Sequence, residues 1–308
     1  MSQILCCPVH HIDIESEAGH FSCPRCGVVG RAVGPVLSFL SENDNFYEGK
    51  YNNRTKYKPW DDGFLATLPL RIVLQGYPTE VAKFVPAGST VVEIGCAGGI
   101  DWFASRYQMI GVDLSLTALH IAAENYDKVI QCNAMRLPIK SEAVDAVISS
   151  CLFEHLTDED KDALLREANR VLKPGGKLVF FYDIETENPL ILAYRKLQPK
   201  LYERLFLEGD GHLGYSDIQG NRVHFDRTGF DICREIFHER TPMLGNSVWQ
   251  KFAQWPGRMG KVGLAAKLAT SGIFRLPYLA VLSLTDTAIG RFFPARYARG
   301  MTTVAKKR

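Results

Sequence analysis

The chain carries, at residues 91–101, the stretch Val91-Val92-Glu93-Ile94-Gly95-Cys96-Ala97-Gly98-Gly99-Ile100-Asp101. The apolar run from Thr90 to Ile94 predicts a buried β-strand, and the small residues after it predict a tight loop that opens a helix. Glycines tolerate positive φ and let a ligand approach the backbone closely. The first N–H groups of the helix would face a ligand in the crevice. Because such turns also occur without a ligand, their companions in the sequence decide the interpretation.

A second apolar strand, Met109-Ile110-Gly111-Val112, follows this loop and ends in Asp113. In a doubly wound sheet, an acid at the tip of the second strand is placed to accept hydrogen bonds from a pair of ribose hydroxyls. Asp113 is also suited to cap the next helix, and the two roles are compatible. We therefore expect a nucleotide-like ligand at this end of the sheet.

Five motifs in order over residues 85–182 resemble the class I S-adenosylmethionine-dependent methyltransferases. The motifs are Glu93-x-Gly95-x-Ala97-Gly98-Gly99, Val112-Asp113-Leu114-Ser115, Cys132-Asn133-Ala134-Met135-Arg136-Leu137-Pro138, Val144 to Ser150 with Phe153-Glu154-His155-Leu156, and Leu172-Lys173-Pro174-Gly175-Gly176-Lys177-Leu178. The resemblance implies an α/β fold with a doubly wound, seven-stranded sheet, mainly parallel with an antiparallel last strand. It also implies an enzyme that moves a methyl group from S-adenosylmethionine to O, N or C of an acceptor.

The resemblance further implies a set of cofactor-binding residues, in which the loop approaches the methionine part and Asp113 takes the ribose. Ala134 is expected to contact the adenine, as is Asn133, which stands where the family usually has an acid. An amide oxygen can still accept a hydrogen bond there, and a plain turn role for Asn133 is the alternative. Ala97 replaces a glycine of the usual loop. The full predicted set is Glu93, Gly95, Cys96, Ala97, Gly98, Gly99, Asp113, Leu114, Asn133, Ala134, Met135, Ser150 and Cys151.

Residues 1–40 contain Cys7-Pro8-Val9-His10 and, farther on, Cys23-Pro24-Arg25-Cys26. Two such knuckles can close a tetrahedral site, and thiolate and imidazole ligands favour zinc. We expect a structural zinc held by Cys7, His10, Cys23 and Cys26, in a module that resembles a zinc ribbon. Cys6 or His11 are alternatives to His10, and free thiols are the alternative to a metal.

The acceptor side of the chain gives a weaker signal. Residues 41–84 are expected to form a linker and a leading helix that cover the cofactor, with RNA contact as the alternative. The core spans 85–240, with a substrate-covering insertion near 183–215 that is expected to be helical from 189 to 206. Within the core we expect Asp158 to cap the helix that precedes the Pro-Gly-Gly turn, and the fifth strand to run from 177 to 182. His212 lies in a glycine-rich loop of that insertion and is the first choice for a general base or substrate orienter, although a surface position is the plainer interpretation. Tyr215 and His224 are secondary candidates.

Residues 241–308 predict a helical insertion followed by a strand that completes the sheet. The insertion is apolar and lightly charged between 262 and 293. A lid over an apolar substrate, a dimer surface and a peripheral membrane contact all fit this pattern. No run long enough for a transmembrane helix is present in the sequence.

Composition restricts the function only broadly. The 308 residues carry a formal net charge of +2 and are 46% hydrophobic, which is ordinary for a globular protein. The N-terminus lacks the apolar segment of a signal peptide, so we expect a cytoplasmic protein with cysteines that bind metal or stay reduced. Three functions compete: a methyltransferase of a small, apolar molecule; an RNA methyltransferase guided by the ribbon; and a non-catalytic scaffold whose ribbon, or 241–298, binds a protein partner. A basic face formed by Arg25, Arg31, Lys50, Arg54, Lys56 and Lys58 would favour the RNA methyltransferase.

Overall fold

The computed structural model describes residues 4–40, Glu48, Ile72 and 75–308. Most of the predicted cofactor lid, residues 41–84, therefore lies outside the described residues. In the described part the strands are β1 Glu15–Glu17, β2 His20–Cys23, β3 Gly27–Val33, β4 Val36–Ser38, β5 Thr90–Ile94, β6 Gln108–Asp113, β7 Lys128–Gln131, β8 Val144–Ser150, β9 Leu172–Asp183, β10 Phe230–His238 and β11 Gly300–Lys307.

The α-helices of this part lie between and after those strands. They are α1 Tyr77–Phe84, α2 Asp101–Ala104, α3 Leu116–Ala122, α4 Asp158–Val171, α5 Pro189–Leu197, α6 Pro199–Tyr202, α7 Ile218–Arg227, α8 Asn246–Phe252, α9 Arg258–Ala269 and α10 Arg275–Ile289. A π-helical turn, Glu203–Glu208, follows α6. The predicted helical cover of the substrate, 189–206, is thus present but interrupted at Gln198 and Pro199.

The sheet order is β1-β2-β3-β4-β7-β6-β5-β8-β9-β11-β10. The five neighbouring strands β7, β6, β5, β8 and β9 pair in parallel in that order, and β11 inserts antiparallel between β9 and β10. This confirms the predicted α/β fold, a mainly parallel sheet with an antiparallel last strand. Its interior strands are continuous apolar runs because both faces are covered.

The N-terminal module is joined to the same sheet. Its last strand, β4, pairs in parallel with β7 through Val36, Leu37 and Ser38. Leu5 also forms an antiparallel bridge with Ile139, and Phe21 packs in the main hydrophobic core. The ribbon-like segment is therefore an extension of the catalytic sheet, which the sequence did not predict.

Two local predictions were wrong at helix and strand ends. The sequence favoured Asp158 as the N-cap of α4, but the hydroxyl of Thr157 accepts from Asp160 N–H and Asp158 begins the helix. The last strand of the parallel set was expected at 177–182, yet β9 begins at Leu172. The predicted turn Lys173-Pro174-Gly175-Gly176 lies inside β9 as an irregularity of the strand, where Gly175 takes φ +75° and the pairing with β8 shifts register.

Candidate functional site

A cavity of about 460 Å³ opens at the carboxyl ends of β5, β6 and β8. Ligands of open α/β sheets bind outside these strand ends, where the direction of the crossovers reverses. All the predicted cofactor-binding residues line the cavity except Gly98, a buried residue of the loop from Gly95 to Gly99. Additional lining residues that the sequence motifs did not single out include Ile100, Leu152, Leu164 and Leu213.

Asp113 ties the two sides of this cavity together. Its Oδ2 accepts from the N–H of Ala97 at 2.8 Å, and its Oδ1 accepts from the N–H of Ser115 at 2.9 Å. The N-cap of α3 is Ser115, whose hydroxyl accepts from Ala118 N–H, so Asp113 is not the cap. A carboxylate oxygen accepts more than one hydrogen bond, so Asp113 keeps acceptor capacity for a diol.

Glu93 acts on the loop through a residue that the motifs did not identify. The hydroxyl of Tyr126 donates to Glu93 Oε2 and accepts from Ile100 N–H at 2.9 Å. The ring of Tyr126 also lies 3.0 Å from where a Cβ on Gly99 would stand, and Gly99 has φ +79°. Burial raises the pKa of Glu93 to about 8, against the opposing effect of the Tyr126 hydrogen bond.

The loop after β7 shows how Asn133 is used. Its Oδ1 accepts from the N–H of Met135 at 2.9 Å, which is a turn-forming hydrogen bond. Asn133 and Ala134 both line the cavity. Asn133 therefore combines the turn role with a place in the cavity wall, so the two interpretations of this residue are compatible.

Glu48, within the predicted lid segment, contacts the start of α3 next to the cavity. Its carboxylate accepts from the N–H of Leu116 at 2.6 Å and from that of Thr117 at 3.3 Å. These hydrogen bonds lower the pKa of Glu48 despite partial burial. The sequence gave no signal for this contact, because it joins residues 68 positions apart.

A second cluster gathers the N-terminal Cys and His residues. One ligand atom from each of Cys7, His10, Cys23 and Cys26 lies within 4.8 Å of the others. Cys7 Sγ is 3.7 Å from His10 Nδ1 and 3.6 Å from Cys26 Sγ, and Cys23 Sγ is 3.6 Å from His10 Nδ1. Bonds of about 2.3 Å to sulfur and 2.0 Å to nitrogen give tetrahedral edges of about 3.6 to 3.8 Å. The four residues therefore fit a zinc ion, and His10 joins the group in place of Cys6 or His11.

His212, the predicted general base, does not line the cavity, whereas its neighbour Leu213 does. Its ring stacks on Tyr215 with centroids 4.7 Å apart and lies 5.2 Å from the ring of His155, which also lines the cavity. Burial lowers the pKa of His212 to about 4, so the ring is neutral at pH 7. His224, a secondary candidate, is instead paired with Asp158 and Asp162 at 3.2 and 2.8 Å.

Charged groups that the sequence analysis missed lie near the two histidines: Arg299 acts on His212 and Asp183 on His155. Asp183 ends β9, and burial raises the pKa of its carboxyl while Arg299 opposes that rise. Arg299 in turn forms an ion pair with Glu239. These residues are far apart in sequence and share no motif, so only the fold brings them together.

The comparisons with known proteins agree with this geometry. The family profile described as "Methyltransferase domain" matches residues 92–180, which hold β5 to β8 and most of β9. Residues 92–180 therefore match a methyltransferase domain, within a sheet of the kind that the class I resemblance predicts. Because S-adenosylmethionine is the methyl donor of that class, the cavity is the expected place for this cofactor.

Individual relatives of the domain act on different acceptors. The chain is 35% identical over 111 residues to "tRNA (carboxymethyluridine(34)-5-O)-methyltransferase ALKBH8" of Macaca fascicularis, covering 35% of this chain and 17% of that protein. It is 32% identical over 126 residues to a "Demethylmenaquinone methyltransferase" of Oceanobacillus iheyensis, covering 36% and 50% respectively. The chain thus spans at most half the length of these two curated relatives.

Solved structures share the fold over a larger part of the chain. A geranyl diphosphate C-methyltransferase from Streptomyces coelicolor superposes with a TM-score of 0.50 at 13% identity, covering 76% of each chain. The cyclopropane synthase MmaA2 from Mycobacterium tuberculosis gives 0.50 at 14% identity, covering 82% of this chain and 88% of that one. At such identities the likeness establishes the fold alone, and the acceptor remains open.

Proposed function

We propose that this protein transfers a methyl group from S-adenosylmethionine to an O, N or C atom of a small acceptor with apolar character. The observation that carries the proposal is the cavity at the ends of β5, β6 and β8, lined by the predicted residues and by Asp113 in particular. Four leucines, Leu152, Leu156, Leu164 and Leu213, supply apolar wall beside them.

The sulfonium of the cofactor is already activated, so the protein's work is to bind, orient and exclude water. The loop from Gly95 to Gly99 would lie against the methionine part, and Asp113 would accept from the ribose hydroxyls. Tyr126, held by Glu93, fixes the end of the loop through Ile100 N–H. His155, on the cavity wall, and His212, whose ring lies 5.2 Å from that of His155, are candidates for taking a proton from the acceptor.

An RNA acceptor is the second candidate, and the tRNA methyltransferase relative favours it. Arg25 and Arg31 of the ribbon are exposed, as an RNA-binding face requires. The other basic residues proposed for that face, Lys50, Arg54, Lys56 and Lys58, lie outside the described residues. We rank the small acceptor first because the cavity wall is rich in leucine.

The deciding experiment measures cofactor binding first and transfer second. Calorimetric titration with S-adenosylmethionine should show micromolar binding, and radiolabelled methyl should then move to an apolar small molecule. Label in transfer RNA, lost at raised salt, would favour the second candidate. Binding without any transfer would favour a scaffold that recruits a partner, and absence of binding by folded protein would contradict the proposal.

We further infer that Cys7, His10, Cys23 and Cys26 hold a structural zinc ion. Backbone N–H groups of Val9 and His10 lie 3.4 Å from Cys7 Sγ, and that of Arg25 lies 3.4 Å from Cys23 Sγ, as suits bound thiolates. Four protein ligands leave no open position for catalysis. Elemental analysis should find one zinc lost on Cys26→Ser but kept on Cys233→Ser, an exposed cysteine far from the cluster.

A further inference from the structure

Beside the cofactor cavity lies a second group of residues with metal-ligand chemistry. One ligand atom from each of Glu154, His155 and His212 lies within 4.8 Å of the other two. Glu154 and His155 come from the 3-10 turn after β8, and His212 from the loop after the π-helical turn. The segment that holds Glu154 and His155 and the loop that holds His212 are more than fifty residues apart in sequence, so the fold brings the three residues together.

Two members of this group carry buried polar atoms without a partner in the described part of the chain. Glu154 is 3% exposed; its Oε1 accepts from Asp183 N–H at 3.3 Å, while its Oε2 is buried and unpaired. His212 Nδ1 is likewise buried and unpaired. A buried polar atom that forms no hydrogen bond costs about 1 to 3 kcal/mol, so two in one cluster point to a missing ligand.

His155 is oriented as metal-binding histidines usually are. Its Nδ1 lies 3.0 Å from the carbonyl oxygen of Gly211. A carbonyl can only accept, so this nitrogen carries the hydrogen and Nε2 keeps its lone pair. Ligating histidines are commonly fixed by such a hydrogen bond from the other ring nitrogen.

The nearby ammonium group does not satisfy Glu154 directly. Lys161 donates to the carbonyl of Gly214 and, at 3.0 Å, to the amide oxygen of Asn221. It is thereby committed to holding the 211–214 loop against α4. The carboxylate oxygen of Glu154 is left for another cation.

We propose that Glu154, His155 and His212 bind a divalent first-row transition-metal ion between the cofactor cavity and the helical cover. Two imidazoles and one carboxylate are the donor set that such ions take with coordination positions left open. Since His155 also lines the cavity, an open position would face the bound cofactor.

The ion would select an acceptor with a hydroxyl or enol oxygen. This role in methyl transfer rests on the proposed function, whereas binding of the ion itself does not. The metal-bound hydroxyl loses its proton to water more readily. Its oxygen then attacks the methyl carbon, a C–O bond forms, and the S–CH3 electron pair stays on sulfur.

Manganese is the suitable probe, because the thiolates of the ribbon prefer zinc. Zinc-loaded full-length protein is titrated with Mn²⁺ and the free ion is followed by electron paramagnetic resonance. We expect one Mn²⁺ bound per chain, with affinity at least tenfold lower in Glu154→Gln and in His212→Asn. The exposed neighbour Glu159→Gln should bind as wild type does.

Cofactor binding by the same variants separates misfolding from loss of the site. Neither Glu154 nor His212 lines the cavity, so titration with S-adenosylhomocysteine should stay within about threefold of wild type. Wild type that binds the cofactor product but no Mn²⁺ overturns the metal site and leaves the proposed function standing. Mn²⁺ binding unchanged in both variants also overturns it.

A different observation concerns the surface of α9 and α10. These helices, with the 3-10 turns beside them, expose large apolar side chains: Ile273 is 85% exposed, Phe292 74%, Leu268 63%, Leu276 62%, Leu284 62% and Phe274 57%. A large contiguous apolar surface marks an interaction site. No single helix of the described residues is long and apolar enough to cross a membrane, and the two helical segments are bent by 73° from each other.

The charges among these side chains are of one sign. Residues 258–292 contain Arg258, Lys261, Lys267, Arg275 and Arg291. The acid of the stretch, Asp286, is turned to the protein, where its carboxylate accepts from the N–H groups of Glu239 and Arg240 at 2.8 Å. Helices that combine exposed apolar and basic residues are suited to the interface of an anionic bilayer.

We infer that α9 and α10 rest on an anionic membrane surface without crossing it. The protein should sediment with vesicles of phosphatidylcholine and phosphatidylserine, and far less with phosphatidylcholine alone. Ile273→Glu should lower the affinity at least tenfold, and Arg275→Gln about fivefold, since one basic residue contributes about 1 kcal/mol near such a surface. Val28→Glu, a control at a ribbon residue 66% exposed, should have no effect.

Two results would overturn this inference. The first is failure to bind either vesicle by protein that binds cofactor normally. The second is a stable dimer that Ile273→Glu dissociates, because the apolar face would then be covered by a second copy.

Discussion

The cofactor side and the acceptor side of this molecule are built in different ways. The cofactor cavity draws its motif residues from one stretch, 93–151, and each stands where a parallel strand ends. The acceptor side draws Asp183, His212, Glu239 and Arg299 from separate segments, and joins them by buried charge pairs and ring contacts. The cofactor cavity is therefore built by local strand-end geometry, whereas the proposed acceptor side is assembled by long-range packing.

The largest expected effect is on stability, from the acceptor side. In Arg299→Leu, the buried carboxylate of Glu239 loses its partner, and breaking a buried pair this way costs about 3 to 5 kcal/mol. Urea unfolding should show the loss, while cofactor affinity of the folded fraction stays near wild type. Arg291→Leu, at an exposed arginine, should change stability by less than about 0.5 kcal/mol. Equal losses of unfolding free energy in Arg299→Leu and Arg291→Leu would mean that Arg299 is not a buried charge partner.

The next effect is on binding, from the cofactor side. Asp113→Ala should weaken S-adenosylhomocysteine binding about 100-fold, roughly 3 kcal/mol, because hydrogen bonds to a charged group contribute about 1.5 to 3 kcal/mol each. Calorimetry gives the value. Asp183→Asn, the matched change on the acceptor side, should leave the affinity within about threefold. If both variants bind equally weakly, the two sides are not separable.

The stability of the protein should depend on pH through the buried carboxyl of Glu93, next to the cofactor loop. The pKa of Glu93 rises from 4.5 to about 8 on folding. Between these values the folded carboxyl holds a proton that the unfolded chain has released, so stability falls as pH rises across this window. The slope from this group is at most about 1.4 kcal/mol per pH unit.

Thermal unfolding of Glu93→Gln between pH 5 and pH 8 tests that slope. The amide can still accept from Tyr126, so the variant should fold and show a flatter profile than wild type. Glu159→Gln, an exposed acid, should keep the wild-type slope. A Glu93→Gln profile as steep as wild type would refute the assignment.

The smallest effect is expected at the loop itself. Ala97 takes φ +46°, a conformation that costs an L-residue about 1 to 2 kcal/mol. Ala97→Gly removes this strain but adds flexibility to the unfolded chain, for a net gain of about 0.5 kcal/mol. Calorimetric melting measures the gain. Ala269→Gly, at the end of α9, should instead lower the melting temperature, and a loss at Ala97 would show that the methyl group packs usefully.

The sequence predicted the residues that line the cofactor cavity because the signals for them are local. A strand, a small-residue loop and an acid at the next strand end are adjacent in sequence, and the sheet order follows from the family resemblance. It missed Tyr126, which bonds to a residue 33 positions earlier, and Glu48, which contacts α3 68 positions later. It also missed Arg299, because nothing near it in sequence indicates that it is buried beside Glu239 and Asp183.

The pairing of β4 with β7 has a consequence for the aggregation of chains in which the ribbon has not yet folded. Without β4, strand β7 would present unpaired backbone groups at the margin of the sheet, with the apolar Val129 and Ile130 beside them. Such margins invite strands of other chains and lead to aggregation. If the proposed zinc ion is needed to fold the ribbon, a chain without the ion would leave β7 unpaired and prone to aggregate, so metal supply would set the yield of folded protein.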